Sequence, residues 1–186
     1  HARPGRFVEV TQRMLRVLNR IRVRYCVIGG LAVAAYGSER STRDVDLIIE
    51  IEPSSVGVLI RRLRTDGFRV TRLGAGDRRE SGLRIQAGGT RVKGDIFWSG
   101  TLAEPELMAR RRQVPIFKVP SWVCGPEDLI LLKLKAGRWQ DDEDIRGMLA
   151  VQARRLDRRR LLLEAGAMGR RRRLVALARE AGLRWR

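Results

Sequence analysis

Asp44 and Asp46 stand two residues apart in the run Asp44-Val45-Asp46-Leu47-Ile48-Ile49-Glu50-Ile51, whose apolar content predicts a strand ended by Pro53. Side chains alternate along a strand, so both carboxylates project from one face while Val45 and Leu47 turn into the core. Asp95 lies in a second run of this kind, Lys93-Gly94-Asp95-Ile96-Phe97. If that strand runs beside the first, about 4.8 Å away, it adds a third carboxylate to the cluster. Three close carboxylates repel one another unless cations are bound. Their hard oxygens suit Mg2+ or Mn2+, which bind phosphate oxygens while retaining several waters. Two such ions about 3.5–4 Å apart stabilise both the attacking and the leaving oxygen of an in-line displacement.

Two further features bear on anion chemistry. Tyr25-Cys26-Val27-Ile28 is a short apolar run ending in Gly29-Gly30, and Leu31 to Tyr36 then has the small-residue content of a buried helix stopped by Gly37. A glycine pair at a strand-to-helix turn lets the backbone approach a phosphate where free amides favour negative charge. Lys133 is flanked by Leu129 to Leu132 and by Leu134, which makes its helix apolar nearly all round and the lysine buried. A buried lysine needs an anionic partner, either an internal carboxylate such as Asp141 or Asp144 or a bound triphosphate.

The elements that must position these residues follow from periodicity. A leading amphipathic helix is predicted from Phe7 to Ile21, and another helix between Pro53 and Gly67, capped by Ser54 or Ser55. Phe68 to Thr71, Leu83 to Ala87 and Thr90 to Trp98 are predicted strands, the last two joined by the hairpin dipeptide Gly88-Gly89. The glycine-rich segment Leu73 to Arg79 is read as a mobile loop, and Ile116 to Val119 is a short extended run. Pro126-Glu127-Asp128 opens a helix that stops at Gly137, and Asp141 to Val151, Asp157 to Ala165 and Arg170 to Ala181 are helical in pattern. The fold class is therefore α/β (α+β): a mixed sheet in residues 1–125 and a helical C-terminal part in 126–186, forming one compact domain.

The formal charge of +18 attracts polyanions, nucleic acid first among them. Only four of the 39 basic residues are lysines, so the arginine excess reflects either genomic base composition or selected RNA binding. Arg110 to Arg112, Arg158 to Arg160 and Arg170 to Arg173 are runs read as solvated helix faces or a polyanion-binding surface. Cys26 and Cys124 are far apart in sequence and outside any zinc spacing, which fits buried thiols in a reducing compartment. No apolar stretch reaches the ~18 residues of a membrane span, the first residues lack a signal-peptide core, and a cytoplasmic protein is expected. His1, the only histidine, reads as a tag or cleavage remnant. Trp98, Trp122 and Trp139 are expected in core or rim packing before base stacking.

Taken together, Ile28-Gly29-Gly30, Asp44-Val45-Asp46-Leu47 and Gly94-Asp95-Ile96 resemble the signature of the DNA polymerase beta-like nucleotidyltransferase superfamily. Over residues 23–148 the chain resembles the minimal bacterial nucleotidyltransferases of the AbiEii toxin type. Arg40 and Thr42 precede the paired acids, and Lys133-Leu134-Lys135-Ala136-Gly137-Arg138 leads into Asp141 and Asp144. The resemblance implies a metal-dependent transfer of a nucleotide from an NTP, with Asp44, Asp46 and Asp95 as catalytic metal ligands. It gives nucleotide-binding roles to Gly29, Gly30, Arg40, Thr42, Lys133, Arg138, Asp141 and Asp144. It also implies a toxin–antitoxin setting with a cognate antitoxin, and the charge adds RNA, tRNA included, as the acceptor. Many relatives carry serine where Gly30 stands, and Gly30 offers only its backbone. Two rivals share the motifs: an antibiotic-modifying nucleotidyltransferase, for whose cationic aminoglycosides +18 is ill suited, and a non-catalytic, antitoxin-like nucleic-acid or partner-binding protein.

Overall fold

The computed structural model describes residues 4–38, 40–74, 81–99 and 105–185; His1 and residues 75–79 of the glycine-rich segment read as a loop lie outside them. The chain opens with helix α1 (Pro4–Arg20), strand β1 (Arg24–Ile28) and helix α2 (Gly29–Ala35). Strand β2 (Asp44–Glu50), helix α3 (Val56–Thr65) and strands β3 (Phe68–Leu73), β4 (Gly82–Ala87) and β5 (Lys93–Trp98) follow. After a short helix α4 (Pro105–Ala109) come strands β6 (Arg112–Ile116) and β7 (Val119–Val123). The remainder is helical: α5 (Pro126–Ala136), α6 (Trp139–Gln152), α7 (Arg158–Ala167) and α8 (Arg171–Glu180).

The strands form one mixed sheet in the order β3-β4-β5-β2-β1-β7-β6. β2 pairs antiparallel with β1 and parallel with β5, so the two strands that carry the acids are neighbours. One face is fixed by burial. Val45, Leu47 and Ile49 on β2, Leu83 and Ile85 on β4, and Phe68 and Val70 on β3 join the core with Val10 and Met14 of α1 and Leu59 and Leu63 of α3. Slipping β2 by one residue would drive Asp44 and Asp46 into that core and expose the aliphatic row, whose side chains contribute roughly 1.5–3 kcal/mol each. The apolar alternation thus aims the carboxylates outward.

Several local expectations are corrected. Ser55 precedes α3, after a single 3-10 turn at Pro53–Ser55, but its side chain caps no amide. β5 begins at Lys93 instead of Thr90, because Gly88 and Gly89 sit in a longer turn closed by Ala87 and Val92, whose N–H to carbonyl bond is 3.2 Å. The run at Ile116 to Val119 is the turn of a β6–β7 hairpin whose central residues, Phe117 and Lys118, lie at φ 47° and 66°. Such a turn normally announces itself with Gly or Asn, and this one does not. Arg110 to Arg112 is no helix face: it leaves α4 and enters β6. Arg110 donates to Asp128 at 2.6 Å, Arg112 pairs with Glu127 at 3.3 Å, and Arg111 lies 4.6 Å over the Trp122 ring.

Candidate active site

Asp46 and Asp95 are directly paired across the β2–β5 ladder, and Asp44 is paired with Lys93 two residues earlier. Paired residues project from the same sheet face, so the three carboxylates share one wall of a cavity of about 690 Å³. Gly29 at the end of β1 and Lys133, Arg138 and Asp141 from α5 and α6 complete that cavity. The parallel approach of β5 depends on Gly94, where a Cβ would stand 2.3 Å from the Val45 carbonyl oxygen.

The glycine pair does steric work here. Gly29 has φ +66°, and a Cβ there would lie 2.4 Å from Oδ2 of Asp46. A Cβ on Gly30 would press on Thr42 at 3.1 Å and on Nε of Arg40 at 3.4 Å. The Thr42 hydroxyl donates to the Asp44 carbonyl at 3.1 Å, tying the segment before β2 to the first acid. A side chain at position 30 would therefore crowd this tie.

Burial first, then the charges of Asp95 and Asp44, push the Asp46 carboxyl up to about 6, against the pull of Lys133 and Arg138. Asp95 is held by Arg84 of β4, its partner in the next ladder, through two bonds of 2.8 Å. Among the described residues no three acidic, imidazole or thiol groups are gathered about one point, and Asp95 is paired with Arg84 at 2.8 Å. The donor set itself fits a hard divalent cation: three carboxylates on one face, one of them destabilised as an anion by the other two.

The basic wall is built from internal pairs. Lys133, 7% exposed, donates from Nζ to Asp144 at 2.6 Å and to Asp141 at 3.2 Å. Of the two partners considered for Lys133, the carboxylates are those in contact. Arg138 donates from Nε to Asp141 at 2.7 Å and its own amide donates to the same carboxylate at 3.1 Å, which closes the first turn of α6. Burial works against the Asp141 anion, but Arg138 and Lys133 hold its carboxyl below the usual range. Arg40 reaches Asp144 from outside at 3.0 Å. Gly30, Arg40, Thr42 and Asp144 thus back the cavity without lining it, while the other seven predicted site residues face it. Arg84 was not foreseen; its signal, an arginine on the outward phase of a strand, gains meaning only from the β4–β5 register. Trp98 packs half-buried against the core, whereas Trp139 is 77% exposed.

The seven-stranded mixed sheet with its flanking helices is a fold shared with nucleotidyltransferase-like proteins of known structure. Comparison of the sequence with protein-family models and with curated proteins gives no match. Among solved structures, the chain is similar to an antigenic nucleotidyltransferase-like protein from Paracoccidioides brasiliensis, with a TM-score of 0.61, 14% identity, and 98% of this chain and 95% of that one covered. It is similar to the antibiotic-resistance factor ANT(2'')-Ia, with a TM-score of 0.61, 17% identity, and coverage of 93% and 95%. The lincosamide antibiotic adenylyltransferase LnuA, solved with lincomycin bound, has a TM-score of 0.55, 13% identity, and coverage of 74% and 93%. At these identities the likeness is one of fold. Among the described residues no helix is long and apolar enough to cross a membrane.

Proposed function

We propose that this protein transfers a nucleotide from an NTP to an acceptor hydroxyl, using Asp44, Asp46 and Asp95 with Mg2+ or Mn2+. The observation that carries this reading is the ladder pairing of Asp46 with Asp95 beside Asp44, facing a cavity whose other wall carries Lys133 and Arg138. Bound divalent cations would supply charge neutralisation at the phosphate oxygens. Asp44 and Asp46 would hold them, with Asp95 as the third ligand once it leaves Arg84. The acceptor oxygen forms its bond to the α-phosphorus as the bond to pyrophosphate breaks, and Asp95 takes or orients the hydroxyl proton in this reading. Pyrophosphate leaves past Gly29 and Gly30 toward Lys133 and Arg138, with Arg40 held in reserve on Asp144. Asp141 and Asp144 act here by positioning Lys133, Arg138 and Arg40, since a carboxylate is itself an anion and repels phosphate.

RNA, tRNA included, is the acceptor we infer, supported by the charge of +18 and by exposed arginines Arg154, Arg155, Arg159, Arg170 and Arg172. The likeness of Arg40, Thr42 and the Lys133–Asp144 block to the AbiEii type supports a toxin role with a cognate antitoxin. Free, buried Cys26 and Cys124 support a cytoplasmic setting. A second reading, antibiotic modification, is favoured by the fold shared with ANT(2'')-Ia and LnuA. The exposed cations oppose a cationic aminoglycoside as acceptor. The test is incubation with total RNA, or with an aminoglycoside panel, and each α-labelled NTP in Mg2+ or Mn2+. Label on RNA that is lost with Asp46→Ala is expected. Label on the antibiotic alone would move the assignment to the second reading. Failure to bind any NTP with metal would favour a non-catalytic, antitoxin-like binding protein.

A further inference from the structure

The sheet face that carries the acids does not end at Asp95. Ladder pairing extends it outward as two rows: Asp46, Asp95, Arg84 and Thr71 in one, and Asp44, Lys93, Gln86 and Arg69 in the other. Each row crosses three strand spacings, about 14 Å in all. The opposite phase of the same strands, Phe68, Val70, Leu83, Ile85, Ala87 and Ile96, is buried core. Arg69, Thr71, Arg84, Gln86 and Lys93 are all exposed. At the outer end Arg69, Gln86 and Arg91 border a hollow of about 340 Å³ floored by the backbone of Gly88 and Gly89.

Charge on this face is distributed unevenly. Among the described residues no carboxylate pairs with Arg69, Arg91 or Lys93, and the one anion in contact with the strip's cations is Asp95 on Arg84. The arginines of the C-terminal helices are, by contrast, partly consumed by the fold. Arg160 binds Glu164 at 2.6 Å, Arg173 pairs with Asp142, and Arg158 lies 5.8 Å over the Trp185 ring. A row of unpaired cations leading to a carboxylate cluster is complementary to an anionic chain whose end must reach that cluster.

We propose that the exposed β3–β4–β5 face, from Arg69 and Arg91 through Lys93 to Arg84, is the docking strip for the acceptor strand, a single-stranded RNA under the reading above. Arg69 and Arg91 hold phosphates remote from the reacting end. Arg84, the innermost cation, exchanges Asp95 for an acceptor phosphate, and this frees Asp95 as the strand arrives. Strand arrival and completion of the acidic cluster are thereby one event.

The test compares wild type with Arg69→Glu/Arg91→Glu, and with Arg170→Gln/Arg172→Gln at the start of α8. Fluorescence anisotropy of a labelled oligouridylate across a salt series reads RNA affinity, and titration with Mn2+ and a non-hydrolysable ATP analogue reads the nucleotide site. The strip variant should lose at least tenfold in RNA affinity and flatten the log–log salt slope by about 1.4, or 0.7 for each of two contacts, with nucleotide binding retained. Gln86→Glu, a single change at the strip's centre, should weaken RNA in the same direction, which guards against misfolding of the double variant. Unchanged RNA affinity and slope in both strip variants, with wild-type RNA binding intact, would overturn the docking strip and leave RNA as acceptor. Absence of RNA binding by wild type, with nucleotide binding intact, would overturn both the strip and the RNA reading.

Discussion

Asp46 fills the space that a side chain on Gly29 would need at the end of β1: the position a Cβ of residue 29 would take lies 2.4 Å from Oδ2 of Asp46. Gly29 also sits at φ +66°, a conformation that costs a residue with a side chain about 1–3 kcal/mol. Gly29→Ala should therefore destabilise the protein by that amount and swing Asp46 away from Asp95. Urea unfolding and a Mn2+ titration measure the two effects separately. Wild-type values for both would remove the steric role assigned to Gly29.

Asp46 makes a pH prediction whose sign is fixed by burial. Its carboxyl lies at about 6 in the folded protein against an ordinary 3.8, so between those values the folded state holds a proton that the unfolded state has released. In EDTA, the Asp46 contribution to stability should be greatest below the lower value and fall as pH rises to about 6, then level off. Asp46→Asn should abolish that slope, be more stable than wild type at pH 7, and lose transfer activity. Denaturant midpoints from pH 4 to 8 report this, and parallel profiles for the two proteins would contradict it.

Lys133→Met leaves Asp141 and Asp144 buried with one fewer cation. Breaking a buried pair costs about 3–5 kcal/mol, and Arg138 and Arg40, which still reach these carboxylates, place the expected loss toward the lower end. Adding Asp144→Asn should restore part of that loss. A fully stable Lys133→Met that binds NTP poorly would instead show that the ammonium serves the nucleotide more than the fold.

Arg84→Gln removes the internal cation that competes for Asp95. Arg84 is half exposed, so stability should change by less than ~1 kcal/mol, while Mn2+ affinity measured by calorimetry should rise severalfold. Weaker Mn2+ binding would mean that Arg84 orients Asp95 for the cation.

The sequence by itself determined which acids share a face of β2 and most of the elements around them. A period of two in β2 put Asp44 and Asp46 on one face, a glycine pair marked the end of β1, and the Pro126 start and Gly137 stop of α5 were readable because proline and glycine restrict the backbone locally. Lys133 was recognisably buried because its neighbours along the helix are apolar nearly all round. Its partners were not settled, because Asp141 and Asp144 come from the next helix and their approach depends on how α5 packs on α6. The β6–β7 hairpin was missed because Phe117 and Lys118 adopt positive φ without the residue types that signal it; contacts elsewhere in the molecule override local preference there. Arg84 and the exposed strip were invisible for a more general reason. Ladder register is a relation between strands distant in sequence, and only the packing of one face against α1 and α3 decides which side chains stand beside Asp95 on the other.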